Sequence, residues 1–178
     1  VTVIHTSVDT GKFKPINKSV KVVILGASDK RYIPIHKRVF EEILKKPIQI
    51  TTFDIDVNHL GGKSKTVVLH DVTNAFPNTP FDIIFSHQMM KFLTQKEQLQ
   101  TMRNSYLALS NNGLAMHIIH SPSIKGTDEL RDWQYKCNPN ALLQQLKKEK
   151  IPAKKLVFES ESTVDWLRET TVICICKS

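Results

Sequence analysis

The sequence has 178 residues, 40% hydrophobic and 24% charged, a length that fits one domain with at most a short extension and a composition ordinary for a soluble globular protein. No apolar run approaches the roughly 20 residues needed to span a bilayer, and no charged-then-apolar leader opens the chain. The formal net charge of +8 favours acidic partners: nucleic acid, an anionic membrane surface or an acidic substrate.

The chain opens on Val1 rather than Met, which leaves open a removed leader or further N-terminal sequence. Residues 1–19 read as an N-terminal extension, with VTVIH an edge-strand candidate and TGKFKPINKS a polar lead-in. The apolar run Val22–Leu25 reads as a strand buried on both faces, stopping at Gly26. A helix is expected over about Ile33–Lys45, with Ile35, Val39, Phe40, Ile43 and Leu44 on one side. Pro47 stops it. IQITTFDID is the second strand and TVVLHDV the third. The connection between them, VNHLGGKSK, is shorter than the dozen or so residues of an ordinary crossover and predicts a reduced turn or one helical turn.

FDIIFSH is the fourth strand, introduced by Pro77 and Pro80. Thr94 to Glu97 reads T-x-x-E, a capping box that opens a helix with Leu99, Met102, Tyr106 and Leu109 as its apolar stripe. Asn111–Gly113 is expected to end that helix as a left-handed cap. LAMHIIH is the fifth strand, and the long connection after it is expected to hold a short helix around Asp128–Tyr135. Asn138 and Pro139 form an N-cap and first-turn pair for a helix over Ala141–Lys150, with Leu142, Leu143 and Leu146 inward. AKKLVFESES and ETTVICICKS read as a terminal antiparallel hairpin. The alternation gives an α/β fold, Rossmann-like and doubly wound, with a mostly parallel sheet.

The positive charges fall in three groups: Lys12 to Lys21, then Lys30, Arg31, Lys37 and Arg38, then Lys147 to Lys155 around a helix end. They form either a solvated surface or an anion-binding face. Cys174 and Cys176 share one face of a strand, too far apart to bridge easily. Without a second cluster they are a poor zinc signal. Reduced thiols suit a reducing compartment, so a cytoplasmic location is expected.

This layout resembles the class I S-adenosylmethionine-dependent methyltransferases over roughly residues 20–178, which are taken as one methyltransferase-like domain. The most specific part is FDIIFSHQMMKFLTQKEQLQTMRNSYLALSNNGLAMHII, similar to the family's fourth strand, its following helix and its fifth strand. The resemblance implies a seven-stranded sheet with the last strand antiparallel beside the fifth, and S-adenosylmethionine as cofactor. Gly26 matches the first glycine of the family's Gly-x-Gly-x-Gly turn, with Ala27 beside it. Ile24 stands where an acid is usual, and Ser28 and Lys30 stand where the later glycines are usual, so the motif is degenerate. Asp54 matches the acid that accepts from the ribose hydroxyls, with Asp56 a competing candidate; Asp71 matches the position that meets the adenine amino group. Ser86 and His87 match the segment beside the transferred methyl. For both aspartates the plainer alternative is a turn-forming residue at a strand end.

His87 and His120 end adjacent strands and are candidates for taking a proton from a methyl acceptor, the alternative being hydrogen-bonded structural histidines. His70 and His117 are weaker candidates. No metal-ligand cluster is present, and no G-x-S-x-G elbow. A nicotinamide site would need glycine at Ser28 and Arg31. The segment SHQM after the fourth strand lacks the Asn/Asp-Pro-Pro-Tyr/Phe pattern that accompanies methylation of exocyclic amino groups.

Two functions follow. One is an S-adenosylmethionine-dependent methyltransferase on an unidentified acceptor. The other is a catalytically inactive binding or scaffolding protein of that fold, with a basic surface for an acidic partner such as nucleic acid. Few residues lie outside the core fold, which points to a large acceptor, an oligomer or a partner subunit completing the site.

Overall fold

The computed structural model describes residues 19–27, 29–120, 132–159 and 169–178. The first strand, β1 (Val20–Leu25), is followed by α1 (Tyr32–Leu44) and β2 (Ile48–Asp54). A 3-10 turn at Asn58–Leu60 leads to the short β3 (Val67–Leu69), so the expected reduced connection is present. Then come β4 (Phe81–His87), a second 3-10 turn at Met89–Phe92, α2 (Gln95–Ala108) and β5 (Leu109–His120). Helix α3 (Pro139–Lys148) and the strands β6 (Ala153–Glu159) and β7 (Glu169–Cys176) complete the chain.

The sheet has seven strands in the order β3-β2-β1-β4-β5-β7-β6. β1 to β5 run parallel, and β7 lies antiparallel between β5 and β6. β1 carries four consecutive buried residues, Val22 to Leu25, because helices cover both faces of a central parallel strand. One core, with Phe53, Met102, Leu142 and Leu146, lies under α2 and α3; the other, with Val22, Ile24 and Phe40, lies under α1. Among the described residues no helix is long and apolar enough to cross a membrane.

The Thr94 capping box forms in full, with Thr94 Oγ1 accepting from the Glu97 N–H and the Glu97 carboxylate accepting from the Thr94 N–H. The Asn138 side chain accepts from the Ala141 N–H and starts α3 at Pro139, two residues earlier than the apolar pattern implies.

Three expectations are corrected. On α1 only Phe40 is buried, and Ile35, Val39 and Ile43 are exposed. The helix carries two apolar stripes, and the sheet selects the one on which His36 and Phe40 meet Phe85 edge-on. Asn111–Gly113 does not cap α2, which passes directly into β5 through an extended Leu109. It forms an irregularity in β5, where the step Phe81 to Ile83 on β4 faces the longer step Leu109 to Leu114. Asn112 takes φ 62° there, and a side chain on Gly113 would meet the Ser110 carbonyl at 2.8 Å. Of the helix expected around Asp128–Tyr135, residues 128–131 lie outside the described residues, and 132–135 form a turn and irregular chain.

Candidate active site

The carboxyl ends of β1 to β4 open onto a cavity of about 710 Å³. It lies where the strand order reverses between β1 and β4, the place where open α/β sheets leave a crevice. Gly26 ends β1 at φ 68°. Its N–H donates to the Phe53 carbonyl at 2.8 Å, and an added Cβ would stand 2.7 Å from Met89 Cγ. Both the left-handed backbone and the close approach therefore require glycine. Ala27 is buried, and its carbonyl accepts from His59 Nε2 at 2.8 Å, which places the proton of that ring on Nε2. Ser28 lies outside the described residues. Beyond it, Asp29 accepts from the Arg31 N–H and in two places from its guanidinium. That bonding holds the half-buried Asp29 carboxyl at about 2, well below its ordinary range.

Asp54 lines the cavity at the end of β2. Its Oδ1 accepts from the Asp56 N–H at 3.0 Å, and its Oδ2 lies 3.6 Å from His59 Nε2. The competing Asp56 is exposed, spends Oδ1 on the Asn58 N–H and is not part of the wall. Asp71 lines the cavity after β3, with Oδ1 accepting from both the N–H and the hydroxyl of Thr73 at 2.8 Å. Beside it, His70 packs edge-on against Phe53 and Phe76, and its Nε2 is buried with no partner among the described residues.

On the other side stand β4 and α1. His87 is exposed and lines the cavity. Ser86 does not, because successive strand residues point to opposite faces; it is buried, with Oγ 2.9 Å from His117 Nδ1. Burial alone pushes the His117 imidazole down to about 4. His120 ends β5, its backbone opposite Thr170, whereas the β5 residue in register with His87 is Ile118. Gln88 is left-handed, and its N–H donates to the Ile118 carbonyl. The Met89–Phe92 turn then adds Lys91 and Phe92 to the wall.

Helix α1 contributes Tyr32 and His36, whose Nδ1 is buried without a partner among the described residues. Burial first, and then the His87 ring, lower the His36 pKa. The cavity thus has an acidic end at Asp54 and Asp71, and an end with Lys91, His87 and His36. Glu97 also lines it, lowered in pKa by the Thr94 hydroxyl and N–H that bond its carboxylate. His36, His59, Lys91 and Phe92 had no motif to flag them.

No protein-family model matches the sequence, and a search of curated proteins finds no match. Solved structures do match. The chain is similar to an S-adenosylmethionine-dependent methyltransferase from Clostridium acetobutylicum, with TM-score 0.63 and 11% identity, over 91% of this chain and 85% of that one. It is similar to magnesium protoporphyrin IX methyltransferase from Synechocystis, solved with bound S-adenosylhomocysteine, with TM-score 0.62 and 9% identity, over 90% and 75% of the two chains. This is the class I methyltransferase fold. The seven strands and the antiparallel β7 follow that plan. A pericyclic reaction enzyme also matches, with TM-score 0.65 and 10% identity, over 94% of this chain and 46% of that one. The class I methyltransferase fold alone therefore does not set the reaction, which has to be argued from the site.

Proposed function

We propose that this chain is an S-adenosylmethionine-dependent methyltransferase acting on an unidentified acceptor. The observation that carries the reading is the cavity wall: Gly26, left-handed and backed by Met89, beside the Asp54 carboxylate at the next strand end. The donor set suits a nucleoside cofactor. Asp54 Oδ2, 3.6 Å from His59 Nε2, suits ribose hydroxyls. Asp71 and His70, whose Nε2 has no partner among the described residues, suit the edge of an adenine. Gly26 and Ala27 let the backbone approach closely.

When bound, S-adenosylmethionine supplies an electrophilic methyl group on a sulfonium. The chain's own part is mainly to align the acceptor with it. His87, exposed in the cavity, takes the proton that the acceptor's nucleophile releases. His36, whose pKa is lowered, stays neutral beside it. Calorimetric titration with S-adenosylmethionine and S-adenosylhomocysteine tests the reading. Binding is expected, and Asp54→Ala should weaken it about tenfold or more, since a hydrogen bond to a charged group contributes roughly 1.5–3 kcal/mol. Unchanged affinity in that variant overturns the assignment.

A second reading is a non-catalytic binding module. It is favoured by Ser28 and Lys30 in place of glycines, and by Asp54 and Asp71 each spending an oxygen on its own turn. The +8 charge then serves an acidic partner such as nucleic acid. Steeply salt-dependent binding of nucleic acid, with no heat from either cofactor form, is the result that selects it.

A further inference from the structure

We infer that the β4 end of the cavity is an acceptor subsite for a planar aromatic ring bearing an anionic group, with Phe92 as the stacking face and Lys91 as the countercharge. The word acceptor rests on the methyl-transfer reading; the subsite itself does not. Tyr32, Phe92, Trp133 and Tyr135 are the exposed aromatic residues among those described, each 44–50% exposed. Three of them sit on segments that meet at the Met89–Phe92 turn, and the fourth, Tyr32, shares the cavity. Tyr32 and Phe92 line it. Trp133 stacks on Phe92 with centroids 5.4 Å apart and planes 7° apart. The Tyr135 N–H donates to the Lys91 carbonyl at 2.7 Å. Aromatic surface left in water and concentrated at a cavity mouth marks a binding surface.

The wall is also held in place. Gln98 is fully buried on α2, and its amide nitrogen reaches the carbonyls of Met90, Leu93 and Lys136 at 3.1, 2.9 and 3.4 Å. One buried side chain therefore staples the turn that carries Phe92 to the segment that carries Trp133 and Tyr135. A stacking face fixed before binding loses little freedom when a ring settles on it.

The charge points the same way. Lys91 is the one lysine or arginine in the cavity wall among the described residues. Its Nζ lies 5.5 Å from the Phe92 ring centroid, and no carboxylate among the described residues pairs with it. The Gln88 amide oxygen at 3.5 Å is a weak partner. Lys91 Nζ stands over the Phe92 ring and Trp133 is stacked on that ring, so a planar ring that settles on this aromatic pair comes within reach of the cation. Of the wall's three carboxylates, Asp54 and Asp71 disfavour an anion at the far end, and that of Glu97 is held by the Thr94 N–H and hydroxyl. Two sources share this chemistry: a free aromatic acid, and a base of single-stranded nucleic acid beside its phosphate.

The test uses the full chain with S-adenosylhomocysteine present. Two probes are titrated, 2-naphthoate and an oligothymidylate single strand. Cyclohexanecarboxylate and 1-naphthylmethylammonium serve as the non-planar and cationic controls. Binding of S-adenosylhomocysteine is measured separately on every variant. The expected result is binding of 2-naphthoate but not of either control. Phe92→Ala and Lys91→Met should each weaken it about tenfold, more than they weaken S-adenosylhomocysteine, and Phe92→Tyr should retain it. Tighter binding of oligothymidylate that falls steeply with salt identifies nucleic acid as the source; salt-tolerant preference for 2-naphthoate identifies a free acid. The subsite is overturned if a control binds as well as 2-naphthoate, or if Phe92→Ala changes nothing. It is equally overturned if Lys91→Met acts chiefly on S-adenosylhomocysteine, or if neither probe binds a sample that takes S-adenosylhomocysteine. Probe binding that needs Phe92 and Lys91 in a chain that takes no S-adenosylhomocysteine keeps the subsite and removes the methyl-transfer reading.

Discussion

Gly26 shows how a turn with one glycine can keep its shape. Its N–H is fixed by the Phe53 carbonyl, and the next carbonyl, that of Ala27, is held by His59 from the far side of β2. The turn is thus braced by a histidine and by its neighbouring strand rather than by further glycines. The same brace brings His59 Nε2 within 3.6 Å of Asp54 Oδ2, so the turn and the acid are positioned by one side chain. Gly26→Ala is expected to lower stability by about 1–2 kcal/mol, the ordinary cost of a left-handed conformation for a residue with a Cβ. The new methyl would also press on Met89 Cγ, 2.7 Å away, and shift the cavity floor. Urea denaturation measures the first effect and cofactor titration the second. An alanine variant with parental stability would show that the turn relaxes freely and that the glycine is not what shapes it.

At the scale of elements, α2 depends on its first turn. Thr94 supplies the cap through Oγ1, and the Glu97 carboxylate answers to the Thr94 N–H and hydroxyl at 2.8 and 2.7 Å. Thr94→Ala should cost about 1 kcal/mol, with Thr94→Ser close to parental, both read from urea midpoints. A cost near zero would mean that packing of Met102 and Gln98 alone sets where the helix begins. This cap was legible in the sequence because its four residues are local, and β1 was legible as a buried strand because Val22–Leu25 is a continuous apolar run; the arrangement of the seven strands was implied by the family resemblance, not by the apolar pattern. The α1 stripe was not, since two apolar faces compete and only the tertiary contact of Phe40 with Phe85 decides between them. Asn111–Gly113 misled for a related reason: a left-handed asparagine serves a strand irregularity as well as a helix cap. In the site, Gly26, Asp54, Asp71 and His87 carried a sequence signal and do line one cavity. His59 did not, because its partner Ala27 is 32 residues away. The Phe92–Trp133 stack, likewise, joins segments with no shared motif.

For the whole molecule, the sheet interior makes stability depend on acid. His117 sits in the middle of β5, between Ser86 on β4 and Ile173 on β7, fully buried and with no charged neighbour contributing to its pKa. Burial holds it at about 4 in the folded chain, against an ordinary value of 6.5. The folded pKa is the lower one, so between these values the unfolded chain binds the proton and the folded chain does not. Stability is therefore full above pH 6.5 and is lost as pH falls toward 4. At 1.36 kcal/mol per pH unit the loss reaches about 3 kcal/mol. The net charge of +8 adds self-repulsion as carboxylates protonate over the lower part of that range. The two contributions separate in His117→Asn, which keeps a polar partner for Ser86 Oγ and cannot take the proton. Urea midpoints at pH 7, 5.5 and 4.5 should fall steeply in the parent and much less in the variant, even if the variant starts lower at pH 7. Parallel slopes in the two proteins would move the acid sensitivity from this buried ring to the charged surface.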